Sequence, residues 1–400
     1  MLEIKSGTLK HGADPKPHYV RDVATQAWVL RQCGLDISRI ELGQADGEFL
    51  LPADRNVEGI LRRIDVTTQA NEMADQIRQT VQAALLTVSQ QVEPERQVGS
   101  HCSAPNHCNF IDYCSNAILG NDETFKVPVW HLASQPNTKI VSQLMKDGYR
   151  DLAFVPESKL ERRMHRVMQE IAKGTLPLYV DPKLREHLIN QPFPRYFLDY
   201  ETNNPTLPLW PGTHPGEVVP FQFSIAKWAS RDSALEIFDF LSESLEEDPR
   251  ANLSIALANA LDQPGPVYAW NGKSTEGPIT FKLAERFPEQ YAVLSRVAQS
   301  CRDMDPVPLF REWFYHPGMG GDWGLKSIVR AIFPQSPYEK LRIANGVEAM
   351  REYEKFLKMG YGVERDLIRD ALIEYCNTDT RVMVDIWKFI EGSDLDFKIG

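Results

Sequence analysis

The sequence lacks the features that mark membrane-spanning, secreted and repetitive proteins. It has no apolar run of about 18 residues, the length that a membrane-spanning helix needs. Its first residues, Met1-Leu-Glu-Ile-Lys5, do not resemble a signal peptide. No internal repeat or low-complexity segment is present. We therefore expect a cytoplasmic protein without a membrane partner, in which 400 residues form roughly two or three globular domains.

A surplus of basic residues is also missing. The 55 Asp and Glu residues outnumber the 44 Lys and Arg residues and leave a formal net charge of −11. This balance argues against a broad basic surface that coats nucleic acid. It does not exclude a nuclease, because metal ions neutralise the acids of such a site and a groove can confine its basic groups. Solubility alone would also explain an acidic balance.

Cysteine is scarce and unevenly placed, with 6 in the chain. Cys33, Cys301 and Cys376 stand alone among apolar neighbours, which is typical of buried thiols. The other three cysteines lie within 13 positions of one another, at 102, 108 and 114. In a cytosolic protein such a group more often binds metal than forms disulfides.

Two acids follow an apolar stretch near the middle of the chain. The run Tyr196-Phe-Leu-Asp199-Tyr-Glu201 follows two prolines, and its aromatic and apolar residues favour a strand. Asp199 and Glu201 are two residues apart, so on a strand they share one face. Paired carboxylates repel each other unless a cation lies between them. The pair predicts either a divalent-metal site or an exposed face of a strand.

A helix near the C-terminus carries a second candidate pair. Residues 370–387 have apolar side chains at helical spacing. Tyr375 and Asp379 are four apart and therefore neighbours on one face. Between the two pairs, the predicted strand Val267–Trp270 ends at Asn271, and Glu276 is predicted to begin a helix.

This order of residues resembles the DnaQ-like exonucleases of the tyrosine subtype, called DEDDy. The resemblance implies a ribonuclease-H-like α/β fold, a mixed sheet flanked by helices. It further implies that Asp199, Glu201, Glu276 and Asp379 bind two Mg²⁺ or Mn²⁺ ions, and that Tyr375 orients the attacking water. The family usually has an Asp four residues after the Asn, whereas Glu276 follows Asn271 by five. Asp303 is the alternative third acid.

Five motifs extend the resemblance over the whole chain. They resemble an uncharacterised bacterial family that joins a RecB-type nuclease module to a DEDDy exonuclease-like domain. In that family Asn271 and Lys326 would contact substrate, although Lys326 also fits a simple surface position. The motifs are Asp199-Tyr-Glu-Thr, Pro220-Phe-Gln-Phe-Ser, Tyr315-His-Pro, Gly321-Asp-Trp-Gly-Leu-Lys326 and Tyr375-Cys-Asn-Thr-Asp379-Thr.

The resemblance divides the chain into four parts. It predicts a partial, restriction-endonuclease-like PD-(D/E)xK module over 1–95, a cysteine cluster over 96–118, a helical connector over 119–194 and the exonuclease domain over 195–400. Within the first module we expect a helix over Asn71–Val88. Within the connector we expect a strand over Val127–Ser134 and helices over Thr138–Gly148 and Glu157–Lys173.

The first module carries a Glu-Lys pair on its first predicted strand. Glu3 and Lys5, with Asp22 and Gln26 on the next helix, resemble the second half of the RecB-type nuclease site. An exposed pair on an edge strand is the alternative. The family supplies a further metal-binding Asp from a preceding strand, which this sequence does not contain. We therefore expect a truncated front end and an inert, degenerate first site.

The cysteine cluster resembles the C-terminal trio of iron–sulfur RecB-type nucleases. There a fourth cysteine far upstream completes a 4Fe-4S cluster, and here that ligand is missing. His101 or His107 could instead complete a tetrahedral zinc site with Cys102, Cys108 and Cys114. Three thiols without metal are the third alternative.

The resemblance implies a 3′→5′ exonuclease that acts on single-stranded ends, chiefly of DNA, in DNA repair or defence. It would release nucleoside monophosphates by a two-metal mechanism. One alternative is a nucleic-acid-binding scaffold whose sites have decayed. Another is an exonuclease that processes RNA. Protein partners are not predicted.

Overall fold

The chain is a mixed α/β protein with three small sheets flanked by helices. The computed structural model describes residues 1–10, 12–94, 102, 108–110, 113–114, 127–134, 138–261 and 263–392. The chain divides into two compact units. The first comprises Met1–Glu95, Thr202–Val219 and Ser244–Pro249, and the second comprises Arg96–Glu201, Pro220–Glu243 and Arg250–Gly400. The predicted four-part division stays a prediction.

The first unit is built on a three-stranded sheet in the order β1-β2-β3. Strand β1 pairs with β2 in parallel, and β2 pairs with β3 antiparallel. The segments Thr202–Val219 and Ser244–Pro249 also belong to this unit. In the first of them, Thr206 donates to the carbonyl of Ser6 at 2.5 Å. The elements are β1 (Leu2–Leu9), α1 (Pro17–Gln32), β2 (Glu41–Asp46), β3 (Leu61–Asp65), α2 (Thr67–Glu72) and α3 (Ala74–Val88).

Local sequence explains the ends of α1. Pro17 begins the helix, where its missing N–H costs nothing. Gly34 ends it in the left-handed conformation, with φ of 85°. The predicted single helix Asn71–Val88 is wrong at its start, because α2 and α3 meet at Met73 and α2 begins at Thr67.

The second unit is built on a four-stranded sheet in the order β7-β6-β5-β8. Strands β6 and β7 are antiparallel, and β5 and β8 are parallel. Strand β5 therefore has a neighbour on each side. A separate two-stranded antiparallel sheet joins β4 and β9. The strands are β4 (Tyr179–Val180), β5 (Arg195–Asn203), β6 (Val219–Trp228), β7 (Leu235–Leu241), β8 (Val267–Tyr268) and β9 (Phe314–Tyr315).

Ten α-helices of the described residues belong to this second unit. They are α4 (Thr138–Lys146), α5 (Arg163–Ala172), α6 (Pro182–Ile189), α7 (Pro249–Ala260), α8 (Glu276–Arg286), α9 (Tyr291–Asp303), α10 (Pro306–Trp313), α11 (Leu325–Ile332), α12 (Gly346–Lys358) and α13 (Val363–Gly392). In the described parts of the chain, no helix is both long and apolar enough to cross a membrane.

The connector differs from its prediction in two places. Val129–Ser134 forms a 3-10 helix, so the predicted strand over Val127–Ser134 is wrong. The predicted helix Glu157–Lys173 is a 3-10 turn over Glu157–Lys159 followed by α5. Periodicity cannot separate a short apolar run in a strand from one in a helical turn, which explains the difference at Val129–Ser134.

Helix α13 packs on the sheet through aromatic side chains. Phe197 on β5 lies edge-on to Trp387 on α13, with 5.2 Å between ring centroids. Tyr268 on β8 stacks on Phe197 at 5.2 Å and also contacts Trp387. Below these rings, Arg195 forms a buried ion pair with Glu391. These contacts fix one end of β5 to one end of α13.

We predict that Arg195→Leu strongly destabilises the second unit. It leaves the buried Glu391 carboxylate without its main partner, and breaking such pairs costs about 3–5 kcal/mol. Arg231→Leu removes the other, half-exposed partner of Glu391 and should cost under about 1 kcal/mol. Urea denaturation of both variants measures the difference. Equal losses would contradict the assignment of the buried pair.

Candidate active site: an acid cluster between β5 and α13

Strand β5 presents two acids to α13. Asp199 and Glu201 alternate with buried apolar residues and lie on the same face, as the sequence predicts. Their carboxylates and the Cys376 thiol on α13 offer ligand atoms that all lie within 4.8 Å of one another. Among the described residues, this is the only group of three His, Cys, Asp or Glu side chains that meets this limit.

Asp379 brings a third carboxylate to the cluster from α13. Its charge raises the pKa of both Asp199 and Glu201, so it lies within electrostatic reach of each. Hydrogen bonds hold this part of α13 on the sheet. Gln222 on β6 donates to the carbonyl of Leu372 at 2.8 Å, and Ser224 and Thr380 share a bond of 2.9 Å.

Burial and mutual repulsion make these acids hard to ionise. Burial raises the pKa of Glu201 to about 8, and the charge of Asp379 adds to the effect. Burial raises the pKa of Asp379 to about 6. Burial and the charges of Asp379, Glu201 and Glu276 raise the pKa of Asp199 well above its ordinary value. At neutral pH the cluster therefore needs positive charge to stay ionised.

Glu276 is the fourth acid of the site. It is the first residue of α8, as predicted, and its side chain is buried. Burial raises its pKa to about 8, and its charge raises the pKa of Asp199 and Glu201. Its Oε2 atom is buried and, within the described structure, has no hydrogen-bond partner.

The loop before α8 explains how Glu276 reaches this place. Asn271 has a left-handed backbone, with φ of 66°. At Gly272, a Cβ atom would lie 2.3 Å from the carbonyl oxygen of Cys301, so the close approach to α9 requires glycine. Asp305 accepts hydrogen bonds from the backbone N–H groups of Lys273 and Val307, which ties the loop to the start of α10.

Asp303, the alternative third acid, lies elsewhere. It is exposed at the last turn of α9, where Gln299 donates to it at 2.9 Å. The structure therefore favours Glu276 over Asp303 as the member of the cluster. Glu276 follows Asn271 by five residues, one more than is usual in the DEDDy family. The left-handed turn at Asn271 lies within this longer loop.

Tyr375 faces Lys326 across the site. Lys326 Nζ donates to the Tyr375 hydroxyl at 2.8 Å and to the carbonyl of Ala344 at 2.7 Å. Burial and the nearby acids raise the pKa of the Tyr375 phenol, so it is neutral. Tyr338 donates a short hydrogen bond to Asp379 Oδ1.

A cleft of about 320 Å³ opens beside the acids. Asp199 and Asp379 lie in its wall with Asn271 and Lys326, the two residues predicted to contact substrate. Asp322 also lines it and accepts from the N–H of Gly324, the residue before α11, at 3.1 Å. A cleft of this size can hold a small polar ligand.

The donor set of the site suits hard divalent cations. Four carboxylates offer oxygen ligands, which Mg²⁺ and Mn²⁺ prefer. The unpartnered Oε2 of Glu276 is a buried acceptor that a cation would satisfy. The residues present therefore fit the metals that the resemblance implies.

The residues predicted for the first site also meet, in the first unit. Lys5 donates to Glu3 at 2.9 Å and forms a short bond to Asp22. Gln26 donates to Asp22 at 3.3 Å. Hydrogen bonds from Lys5 and Gln26 lower the pKa of Glu3, and those to Asp22 and Glu3 raise the pKa of Lys5. Here one ammonium group, that of Lys5, contacts both acids.

The three clustered cysteines lie on an apolar core in the second unit. Cys102 is buried, and Cys108 and Cys114 are partly buried. The N–H of Cys108 donates to the carbonyl of Cys102 at 2.8 Å. The structure does not bring the three sulfur atoms within 4.8 Å of one another. His101 and His107, the alternative zinc ligands, lie outside the described residues.

Sequence reasoning missed three side chains of this site. Tyr338 lies on a 3-10 helix, Pro337–Lys340, and no local pattern links it to Asp379. Cys376 follows Tyr375 directly, but its sulfur contacts Asp199 Oδ2 at 3.7 Å only because α13 packs on β5. Asp305 carries a local signal, since Asp before Pro306 is a common start of a helix.

Comparison with known proteins gives one match. A family described as a domain of unknown function (DUF2779) matches residues 196–324. No curated protein and no solved structure matches the chain. The matched stretch includes Asp199, Glu201 and Glu276 and stops before Lys326, Tyr375 and Asp379. The match therefore shows similarity to that family over residues 196–324, and its description names no activity.

We predict that Glu201→Gln stabilises the protein at alkaline pH in a chelating buffer. The pKa of Glu201 is raised from 4.5 to about 8. The stability that protonated Glu201 gives the folded parent is therefore fully present below pH 4.5, and it is lost as pH rises through about 8. At about pH 8.5 the variant should melt about 2 °C or more above the parent. Near pH 4.5 the two should melt together.

Differential scanning fluorimetry at both pH values measures this effect. Glu285→Gln, on the exposed side of α8, is the control and should change neither melting temperature. A stabilisation by Glu201→Gln that is the same at both pH values would contradict the electrostatic cause.

Proposed function

We propose that residues 195–400 form a metal-dependent 3′→5′ exonuclease of ribonuclease-H-like fold. The observation that carries the proposal is the grouping of Asp199 and Glu201 on β5 with Asp379 and Glu276, whose charges raise the pKa values of both β5 acids, beside a cleft that Asp199 and Asp379 line. A merely structural role would not require four acids whose ionisation is opposed by burial. The sheet order β7-β6-β5-β8, with β5 and β8 parallel, is compatible with this fold.

Asp199, Glu201, Glu276 and Asp379 would hold two Mg²⁺ or Mn²⁺ ions. When bound, such ions supply an activated water and stabilise negative charge on the leaving oxygen. The carboxylates would contribute the negative charge that binds the ions, and Glu201, Glu276 and Asp379 are buried, which limits their movement. The alternation of β5 and the turn spacing of α13 set their relative positions.

Tyr375 would orient the attacking water. Its phenol is neutral because burial and the acids raise its pKa, so it acts by hydrogen bonding and not as a base. It lies one helical turn before Asp379, so it would lie close to a phosphate bound at the acids. Asn271 and Lys326 line the cleft, where the Asn271 amide offers a donor to substrate oxygens.

The substrate we propose is a single-stranded nucleic-acid end, chiefly DNA, with nucleoside monophosphates as products. The net charge of −11 fits a protein that engages nucleic acid in one confined cleft. Hydrolysis of ends in this way would serve DNA repair or defence. We propose no catalytic role for Glu3, because among the described residues no group of three possible metal ligands includes it.

We predict that Asp199→Asn abolishes cleavage while the protein stays folded. The change removes one negative ligand from the centre of the cluster and relieves repulsion there, so stability should not fall. Release of mononucleotides from single-stranded DNA and RNA oligonucleotides, with Mg²⁺ or Mn²⁺, measures the activity. Asp366→Asn, on the exposed face of α13, is the matched control. Digestion by Asp199→Asn at the parent's rate would reject the proposal.

We also predict that all nuclease activity depends on the second unit. Asp379→Ala should remove it, whereas Glu3→Ala should leave it unchanged, since among the described residues no group of three possible metal ligands includes Glu3. Both variants are assayed on linear single strands and on circular DNA. Nicking of circles that disappears in Glu3→Ala would show that the first site is active.

A further inference from the structure

Two side chains contact the candidate catalytic groups from outside the acid cluster. Lys326, near the start of α11, reaches Tyr375, and Tyr338, on the following 3-10 helix, reaches Asp379. The sequence separates these partners by 49 and 41 residues. Their contacts are therefore a product of the fold and not of local helix geometry.

Lys326 is held in a defined position. Its Nζ donates to the Tyr375 hydroxyl at 2.8 Å and to the carbonyl of Ala344 at 2.7 Å. The same atom lies 4.6 Å from the ring centre of Tyr375 and 4.9 Å from that of Tyr338. Two acceptors and two aromatic faces fix the ammonium group, although the side chain is otherwise flexible.

The direction of the Lys326 bond determines what Tyr375 can do. An ammonium group has no acceptor, so the phenol oxygen must accept this bond. The phenol proton then remains free to be donated elsewhere. This is the arrangement that a tyrosine needs if it is to donate to a water or to a phosphate oxygen in the cleft.

Tyr338 has the matching effect on Asp379. Its hydroxyl donates to Oδ1 and so fixes the orientation of the carboxylate. Oδ2 keeps both of its acceptor sites for a cation, whereas Oδ1 keeps one. Groups outside a metal site that orient its ligands in this way commonly affect metal affinity or activity.

We propose that Lys326 and Tyr338 are positioning residues of the nuclease site. Lys326 sets the donor direction of the Tyr375 hydroxyl, and Tyr338 selects which oxygen of Asp379 faces the metal. The inference rests on the proposed function and goes beyond it, because it assigns Lys326 to Tyr375 instead of to the substrate phosphate. The two assignments predict different kinetics.

A double-mutant cycle separates them. Tyr375→Phe keeps the ring and should lower kcat by about 10²-fold. Lys326→Met should lower kcat by about 10-fold in the parent, as expected for a partner of a catalytic group. In the Tyr375→Phe background it should lower kcat by less than about 3-fold, since the hydroxyl that it positions is already gone. Multiplicative effects in the double variant would overturn the assignment.

Substrate binding gives a second, independent readout. Dissociation constants for a single-stranded oligonucleotide are measured with Ca²⁺, using the Asp199→Asn background to prevent cleavage. Lys326→Met should weaken binding by less than about 3-fold if it acts through Tyr375, whereas loss of a direct phosphate contact should weaken it by about 10-fold or more. Lys282→Met, an exposed lysine on α8, is the control for loss of charge.

Tyr338→Phe tests the other half of the proposal. Removal of one hydroxyl should weaken Mn²⁺ binding, measured by calorimetry, by about 10-fold or more. Tyr353→Phe, which also removes a buried hydroxyl but lies against Phe221, should leave Mn²⁺ affinity unchanged. Equal affinities in the parent and Tyr338→Phe would overturn the role of Tyr338.

Unfolding measurements keep the inference distinct from the exonuclease proposal. The free energies of unfolding of the parent, Lys326→Met, Tyr375→Phe and the double variant report the coupling without any activity. If the parent cleaves no nucleic acid but the two losses are coupled, the exonuclease proposal fails and the Lys326–Tyr375 contact stands. Additive losses would overturn the contact itself.

Discussion

The repulsion among buried carboxylates between β5 and α13 is the constraint on which the rest of the second unit depends. Asp199 and Glu201 lie together on β5, and the charge of Asp379 on α13 adds to burial in raising the free energy of ionising both of them. Something must hold the two elements together against this cost. Two contacts supply that attraction near the start of β5 and the end of α13. They are the packing of Phe197 on Trp387 and the buried ion pair of Arg195 with Glu391.

The same pair of elements thus contains two kinds of buried charge. At the start of β5 the charges are opposite and balanced within the protein. Four to six residues along, at Asp199 and Glu201, the charges are alike, and burial opposes their ionisation. A protein selected for stability alone would place apolar side chains at Asp199 and Glu201, as it does at Phe197 and Leu198. The acids are therefore best explained by function, which commonly costs stability at a binding site.

Sequence reasoning identified the parts of this site that follow from local periodicity. Alternation along β5 placed Asp199 and Glu201 on one face, helical spacing paired Tyr375 with Asp379, and the strand before Asn271 indicated that Glu276 begins a helix. It could not find Tyr338, because its bond to Asp379 exists only after two distant segments pack. The 3-10 helix Val129–Ser134 and the break at Met73 were missed for a related reason, since tertiary packing overrides weak local preference.

Lys326 shows why the site would depend on an exchangeable cation although a lysine is close. Its charge lowers the pKa of Glu201 and Asp379, yet burial still leaves both pKa values above their ordinary range. The ammonium group is held by Tyr375 and Ala344, so it cannot move to the centre of the carboxylates. A divalent ion carries twice the charge and accepts several oxygen ligands at once. In the proposed site the lysine would therefore order the phenol, and the larger part of the negative charge would be left for metal ions to balance.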